Sequence, residues 1–419
     1  MSNKLITYLV QGNFFRHGFD FFDRRLKVDS AIGWLTRKIY YGKPKKIKNN
    51  RIFVMSYDKD FSCNPRYIVE ELLRQHKDVE IYSVYDNDYT YSETRRHYPP
   101  EVKLVEFRTK AMYDAMATSK IWIDNALNMV WYGMPKSKGQ YYLNTWHGSL
   151  GIKRLGGNRK WMNRAAKANK VTDYCITNST FEENVFRETF WKDVPFLKFG
   201  HARNDIFFNE ERMKEKRRRV LRYFDIEESN ASSDKEMSGR ENTEKLICLY
   251  APTFRENSSK YIPLDFESLK NALEKKYNRE VIIIVRAHNK DRAAWGFKEN
   301  DWLKDGSFYG DMQELLPGID VGISDYSSWV YDFMLTERPI LLYAPDLELY
   351  DQERGFYYPI DTTPFPVAKT QSELEKAVLE FDESIYKADV KRFLEDKGCY
   401  EDGKACERIV EELDKLMAE

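Results

Sequence analysis

Two series of short apolar runs, spaced by stretches of helix length, constrain the fold more than any other feature of the chain. The first series reads RIFVMSY (51–57), VEIYSVY (79–85), VKLVEF (102–107), KIWID (120–124), YYLN (141–144) and DYCITN (173–178). Helices are predicted between several of these runs, over 65–76, 108–118 and 180–190. The second series reads LICLYAP (246–252), VIIIVRA (281–287), DVGISD (320–325) and PILLYAP (339–345). Strands that alternate with helices build a parallel sheet covered on both faces. At 419 residues the chain is too long for one ordinary core. The predicted class is therefore α/β, with two doubly wound, Rossmann-like domains and a cleft between them.

The predicted boundaries are an N-terminal segment over 1–50, a first domain over 51–225, a polar insertion over 226–245, and a second domain over 246–419 that ends in helices. The insertion, DIEESNASSDKEMSGRENTEK, is charged and nearly free of apolar residues, as surface loops are. Before it, 209–224 reads as a basic helix. Residues 13–50 interleave aromatics with ten Lys and Arg against three Asp, a local charge of +7. Such a segment suits an anionic membrane surface, aromatics down and cations at the headgroups. It equally suits an amphipathic helix packed on the first domain.

Composition excludes several classes. The 67 basic and 67 acidic residues balance, so net charge says nothing about a partner; nucleic acid is not among the partners expected. Mean hydropathy is −0.67 and no long uncharged apolar run occurs, so no spanning helix is expected. The N-terminus lacks the apolar core and cleavage site of a secretory signal. Five scattered cysteines (63, 175, 248, 399, 406) form no CxxC pair, so neither a zinc site nor a disulfide framework is indicated. A reduced, cytoplasmic setting follows, with no metal and no cofactor expected.

Open α/β sheets bind ligands beyond the carboxyl ends of their strands. In the first domain, YYLN runs into NTWHGSLGIKRLGG (144–157), which places His147 and Gly148 at a strand end. In the second, the strand ends are APTFR (251–255), RAHN (286–289) and SDYSSWVYDF (324–333). Ser327 or Ser328 would cap a helix whose first N–H groups can hold phosphate. Arg255, Arg286 and His288 add cationic donors from neighbouring strand ends. By itself the cap is an ordinary cap; with three cations converging on it, a phosphate or diphosphate ligand is expected. His147 reads either as a loop histidine satisfied by hydrogen bonds or as a general base for an alcohol. Lys153 and Arg154 either attract an anionic substrate or are simply solvated. No P-loop, no Gly-x-Gly-x-x-Gly opening a helix and no Gly-x-Ser-x-Gly elbow is present.

The motifs TWHGSLGIKRLG, APTFR, RAHN, SDYSSWVYDF, RPILLYAPDLELY and ERGFYYPID occur in that order. Together they resemble the CDP-glycerol glycerophosphotransferases, the primases and polymerases of teichoic acid. FSCNPRYIVEELL (61–73) and GHARND (200–205) are weaker landmarks, and the resemblance covers roughly 50–360. It implies a GT-B-like arrangement and transfer of a polyol phosphate from a CDP-polyol to an alcohol on a lipid-linked saccharide or polymer, with release of CMP. It implies His147 as general base. Arg286 and His288 would hold the diphosphate and stabilise departing CMP. Ser327 and Ser328 would form the phosphate-binding helix start, with Asp332 fixing that helix or contacting substrate. Arg354 would be a late donor contact.

Several positions depart from the pattern. Ser149 and Leu150 follow Gly148 where members often carry threonine and proline. His201 and Ala202 stand where an aromatic and a proline are usual, and Asn289 stands where proline is common. The resemblance further implies a peripheral enzyme at the cytoplasmic face of the membrane. CDP-glycerol is the expected donor, with CDP-ribitol, a capsule polymer product, or a GT-B glycosyltransferase using a nucleotide sugar as alternatives. The chain holds little beyond the two-domain core, which favours a primase over a polymerase.

Overall fold

The structure is a computed structural model that describes residues 37–57, 59–75, 78–85, 95–131, 134–155, 159–226, 245–253, 264–287 and 298–419. These residues divide into two compact units. The first comprises residues up to His147 together with Gly156–Asp205 and Tyr400–Glu419; the second comprises Gly148–Leu155 and Ile206–Cys399.

The first unit is a seven-stranded sheet in the order β3-β2-β1-β4-β5-β6-β7. Its strands are β1 (Lys48–Met55), β2 (Glu80–Tyr85), β3 (Lys103–Glu106), β4 (Ser119–Asp124), β5 (Tyr141–Asn144), β6 (Tyr174–Thr177) and β7 (Phe196–Lys198). All neighbouring pairs are parallel. The strand order reverses direction between β1 and β4, so the topological switch point lies beyond the ends of those two strands. Strand β4 is buried at every position, consistent with a central strand covered on both faces. On one face Ile52, Val54, Ile121, Ile123, Leu143 and Ile176 share a core with Ile68 and Leu72 of the helix Cys63–Gln75. Ile409, Val410, Leu413 and Leu416 of the C-terminal helix Ala405–Ala418 complete that core.

The second unit is a six-stranded parallel sheet in the order β10-β9-β8-β11-β12-β13. Its strands are β8 (Leu246–Tyr250), β9 (Val281–Val285), β10 (Leu303–Asp305), β11 (Val321–Ser324), β12 (Ile340–Tyr343) and β13 (Val367–Ala368). Here the switch point falls between β8 and β11.

The division differs from the predicted 51–225 and 246–419 at three places, each for a packing reason. The helix Glu210–Tyr223 belongs to the second unit: Arg217 reaches Asp320 at 3.0 Å, and Lys216 reaches Glu314 at 2.7 Å. Gly318 lies so close beneath this helix that a Cβ there would stand 2.5 Å from Val220. Residues 400–419 return to the first unit. Residues 148–155 join the second unit through an antiparallel pairing with 355–357.

Residues 1–36 and 227–244, and with them most of the basic N-terminal segment and the insertion, lie outside the described residues. Within 37–50, Arg37 and Tyr41 are buried on the helix Lys110–Thr118. Arg37 Nη1 donates to the Tyr113 hydroxyl at 3.5 Å, and the Tyr41 hydroxyl donates to Asp114 at 2.9 Å. This stretch packs on the first unit. No helix among the described residues is long and apolar enough to cross a membrane.

Candidate active site

In the first unit the sequence places polar residues at three adjacent strand ends around the switch point: Tyr57 after β1, Asn125 after β4 and His147 after β5. The His147 ring is stacked on Tyr57, with centroids 4.9 Å apart, and tilted on Trp146 at 4.6 Å. Its Nδ1 lies 2.5 Å from the main-chain oxygen of Asn125. A carbonyl oxygen only accepts, so this bond puts the proton on Nδ1 and the lone pair on Nε2. The imidazole is thereby held as the tautomer that can take a proton from an alcohol through Nε2.

The turn that presents His147 is braced from several sides. Trp146 adopts φ +49°, a left-handed conformation that side chains other than glycine seldom occupy. Its N–H is held by Asn144 Oδ1 at 2.9 Å, and its indole packs on Phe186, Phe190 and Trp191. The buried Asn64 donates Nδ2 to the carbonyls of Thr145 (2.9 Å) and Trp146 (3.2 Å), while its Oδ1 accepts from Arg203 N (3.1 Å). Asn64 lies in FSCNPR and Arg203 in GHARND, so the two weaker landmarks meet beneath the histidine turn. Asp124 closes the turn after β4. Its carboxylate accepts from Ala126 N (2.8 Å), Met129 N (3.1 Å) and the Tyr142 hydroxyl (2.9 Å). Burial pushes the Asp124 pKa up, and these hydrogen bonds oppose that rise.

In the second unit the ends of β8 and β11 are tied together by Asp325. Its Oδ1 accepts from Thr253 N (2.8 Å), Thr253 Oγ1 (2.7 Å) and Tyr326 N (2.5 Å). Ser324 Oγ and Trp329 Nε1 both donate to the Ala251 carbonyl, at 2.7 and 2.9 Å. These clamps fix the polypeptide from which Ser327 and Ser328 emerge. The helix there is short, Trp329–Phe333, and Ser328 precedes it without a side-chain cap bond. The dipole contribution of so short a helix is correspondingly small.

Residues 148–155 wrap onto this same region. Gly151 approaches Ser328, leaving room for a Cβ at 3.5 Å from the serine Cβ. Lys153 pairs antiparallel with Phe356. Arg154 N donates to Gly355 O at 3.0 Å and Arg154 Nε to Phe356 O at 2.9 Å, with the guanidinium 5.3 Å over the Tyr357 ring. Gly355 adopts φ +72°, where any side chain would be strained, and a Cβ would also stand a tight 3.1 Å from the Arg154 side chain.

The structure brings Gly148, Lys153, Arg154, Ser327 and Ser328 into one unit and leaves Arg354 exposed at the end of the helix Leu347–Arg354. Asp332 is buried and accepts from Gln313 Nε2 at 3.4 Å, which suits it to fixing the short helix. Arg286 follows β9. Its Nη1 donates to the carbonyls of Gly306 (3.1 Å) and Tyr309, and its Nη2 to that of Gly310 (2.8 Å). Its fork thus grips the loop 306–310. Arg255 and His288 lie outside the described residues. Among the described residues no group of three His, Cys, Asp or Glu side chains is placed to hold a metal ion. Sequence reasoning missed Asn64, Asn125 and Asp325, single polar residues that carry no periodic signal.

Residues 37–415 match the family described as CDP-Glycerol:Poly(glycerophosphate) glycerophosphotransferase. The teichoic acid poly(glycerol phosphate) polymerase of Bacillus spizizenii is 32% identical over 403 residues, covering 87% of this chain and 92% of that one. The teichoic acid glycerol-phosphate transferase of Staphylococcus aureus is 28% identical over 392 residues, covering 88% and 93%. Against the Bacillus subtilis teichoic acid poly(glycerol phosphate) polymerase, 28% identical over 394 residues, 87% of this chain matches 48% of the relative. Among solved structures, the wall teichoic acid polymerase TagF superposes with a TM-score of 0.76 at 23% identity, covering 98% of each chain. The fold class is therefore the GT-B-like one that the motifs implied. The chain belongs to the CDP-glycerol:poly(glycerophosphate) glycerophosphotransferase family.

Proposed function

We propose that this protein transfers glycerol phosphate from CDP-glycerol to a hydroxyl of a lipid-linked saccharide or growing polymer in teichoic acid synthesis, releasing CMP. The observation that carries the reading is the His147 ring, set at the switch point of the first unit with Nδ1 committed to the Asn125 carbonyl. Nε2 takes the proton of the acceptor hydroxyl as its oxygen attacks the β-phosphorus of the donor. A new oxygen–phosphorus bond forms, the bond to the bridging oxygen breaks, and its electron pair leaves with CMP. The reaction is a direct displacement with no covalent enzyme intermediate.

The donor diphosphate is assigned to the second unit. Ser327 and Ser328 supply hydroxyl and main-chain donors, and Arg255 and His288 supply charge. Arg286 serves the same end by bracing the loop 306–310. Lys153 and Arg154 order the segment 148–155 that rests beside Ser328, and Arg354 stands as an exposed cation for the donor. The protein works at the cytoplasmic face of the membrane as a peripheral enzyme; Arg37 and Tyr41 pack on the first unit, and the exposed Lys38, Lys43 and Lys46 of the same stretch support that placement.

The test is CMP release from CDP-glycerol, CDP-ribitol and nucleotide sugars, with the mass of the acceptor product. A gain of one or more glycerol-phosphate units, seen only with CDP-glycerol, supports the reading. Turnover of a nucleotide sugar in place of the CDP-polyols ends it.

A further inference from the structure

Beside His147 lies a polar side chain with no assigned role. Asn125 is 1% exposed, and neither its Nδ2 nor its Oδ1 has a hydrogen-bond partner among the described residues. Its neighbours are satisfied. Asp124 uses its carboxylate to close the turn, and Asn144 donates to Ala126 O and to the Tyr142 hydroxyl. The main-chain oxygen of Asn125 is also engaged, by His147 Nδ1. Only the carboxamide is left over. A buried amide without partners is destabilising, and an apolar side chain of similar size would serve the fold better. A buried group in this state calls for a completing partner outside the fold, an ordered water or a bound molecule.

Chemistry narrows what that is. A carboxamide offers two donors and an acceptor and no charge. It matches a neutral hydroxyl, which also donates and accepts, better than a phosphate, which calls for cations. Its position on the residue that orients the His147 ring puts the match on the acceptor side of the reaction.

We propose that the Asn125 carboxamide pairs with the acceptor hydroxyl on the carbon adjacent to the attacking one, and so selects acceptors that carry neighbouring hydroxyls. This rests on the function proposed above. The His147 ring activates one hydroxyl while Asn125 reads the next, which holds the attacking oxygen in line.

The experiment compares the unaltered full-length chain with Asn125→Leu and Asn125→Ser. Each is given CDP-glycerol and a soluble saccharide acceptor, with and without the adjacent hydroxyl. CMP release is measured as kcat/KM for acceptor, and thermal melting is recorded. The unaltered chain should prefer the full acceptor by about tenfold, the effect of one satisfied against one unpaired hydrogen-bonding group. Asn125→Leu should lose that factor on the full acceptor, lose nothing further on the deoxy acceptor, and melt at an equal or higher temperature. Asn125→Ser should show a smaller preference. Equal losses on both acceptors, or an unchanged preference in the variants, overturn the inference and reduce Asn125 to a turn residue. Absence of acceptor-dependent CMP release from the unaltered chain overturns the proposed function, and this inference with it.

Discussion

The Nδ1 of His147 and the main-chain oxygen of Asn125 stand 2.5 Å apart, and that bond decides which nitrogen of the ring is basic. Replacing His147 by Gln keeps a donor for the carbonyl but removes the base. Turnover should fall by about 10²- to 10⁴-fold, the usual contribution of a positioned general base. Equilibrium binding of CDP-glycerol should persist, because the groups proposed to hold the donor belong to the second unit. Near-normal CMP release from His147→Gln would end the general-base role. Loss of donor binding alone would move the histidine to the diphosphate.

At Arg286 the structure separates two roles that the sequence merges. A diphosphate contact needs charge, whereas the observed bonds to Gly306, Tyr309 and Gly310 need a planar fork. Arg286→Lys keeps the charge and loses the fork. It should therefore raise the KM for CDP-glycerol nearly as much as Arg286→Ala, and both variants should be cut faster by protease within 306–310. A lysine variant with near-normal KM and an intact loop would restore the simple charge contact.

The sheets were legible in the sequence because their strands are continuous apolar runs: VIIIV is β9 in full, and KIWID lies within β4. Strands β7, β10 and β13, of three, three and two residues, were too short to leave a pattern. Non-local pairings were hidden too. Nothing near Arg154 announces that its main chain pairs with Gly355, some two hundred residues away, so the segment 148–155 read as part of the first domain. The positions of His147, Ser327 and Ser328 beyond strand ends were readable because the apolar runs before them stop sharply, and candidates were sought there because parallel sheets bind ligands beyond such ends. Asn64 and Asn125 were not, since an isolated asparagine looks the same whether it faces water or sits under an active-site turn.

The second unit holds a buried ion pair with a measurable consequence. Lys216 and Glu314 meet at 2.7 Å with side chains 8% and 9% exposed, while the largely exposed Arg219 approaches the same carboxylate at 3.7 Å. Lys216→Met takes the nearer cation from a buried carboxylate that Arg219 approaches less closely, and should cost about 3 kcal/mol in denaturant unfolding. Adding Glu314→Gln should recover most of the loss, because the stranded charge is then gone. A double variant no more stable than the single one would show that packing of the lysine stem, not its charge, carries the effect.

Asp124 gives the stability a pH dependence of predictable sign. Its pKa in the folded protein is raised, chiefly by burial, above the usual aspartate value of about 3.9. Between the ordinary value and the raised one, the folded protein binds this proton more readily than the unfolded chain does. The stabilising contribution is therefore fully present below the ordinary value and is lost as pH rises through the raised one. Other carboxylates titrate alike in the unaltered protein and in Asp124→Asn, so they cancel in the difference between the two. The asparagine variant has no proton to gain at this position. Whatever the offset at pH 7, the stability of the unaltered protein relative to Asp124→Asn should grow as pH is lowered from 7 toward about 4. Denaturant unfolding of both proteins across that range measures it. A stability relative to Asp124→Asn that falls on acidification would mean that the hydrogen bonds from Ala126, Met129 and Tyr142 outweigh burial and hold the carboxyl below its ordinary pKa.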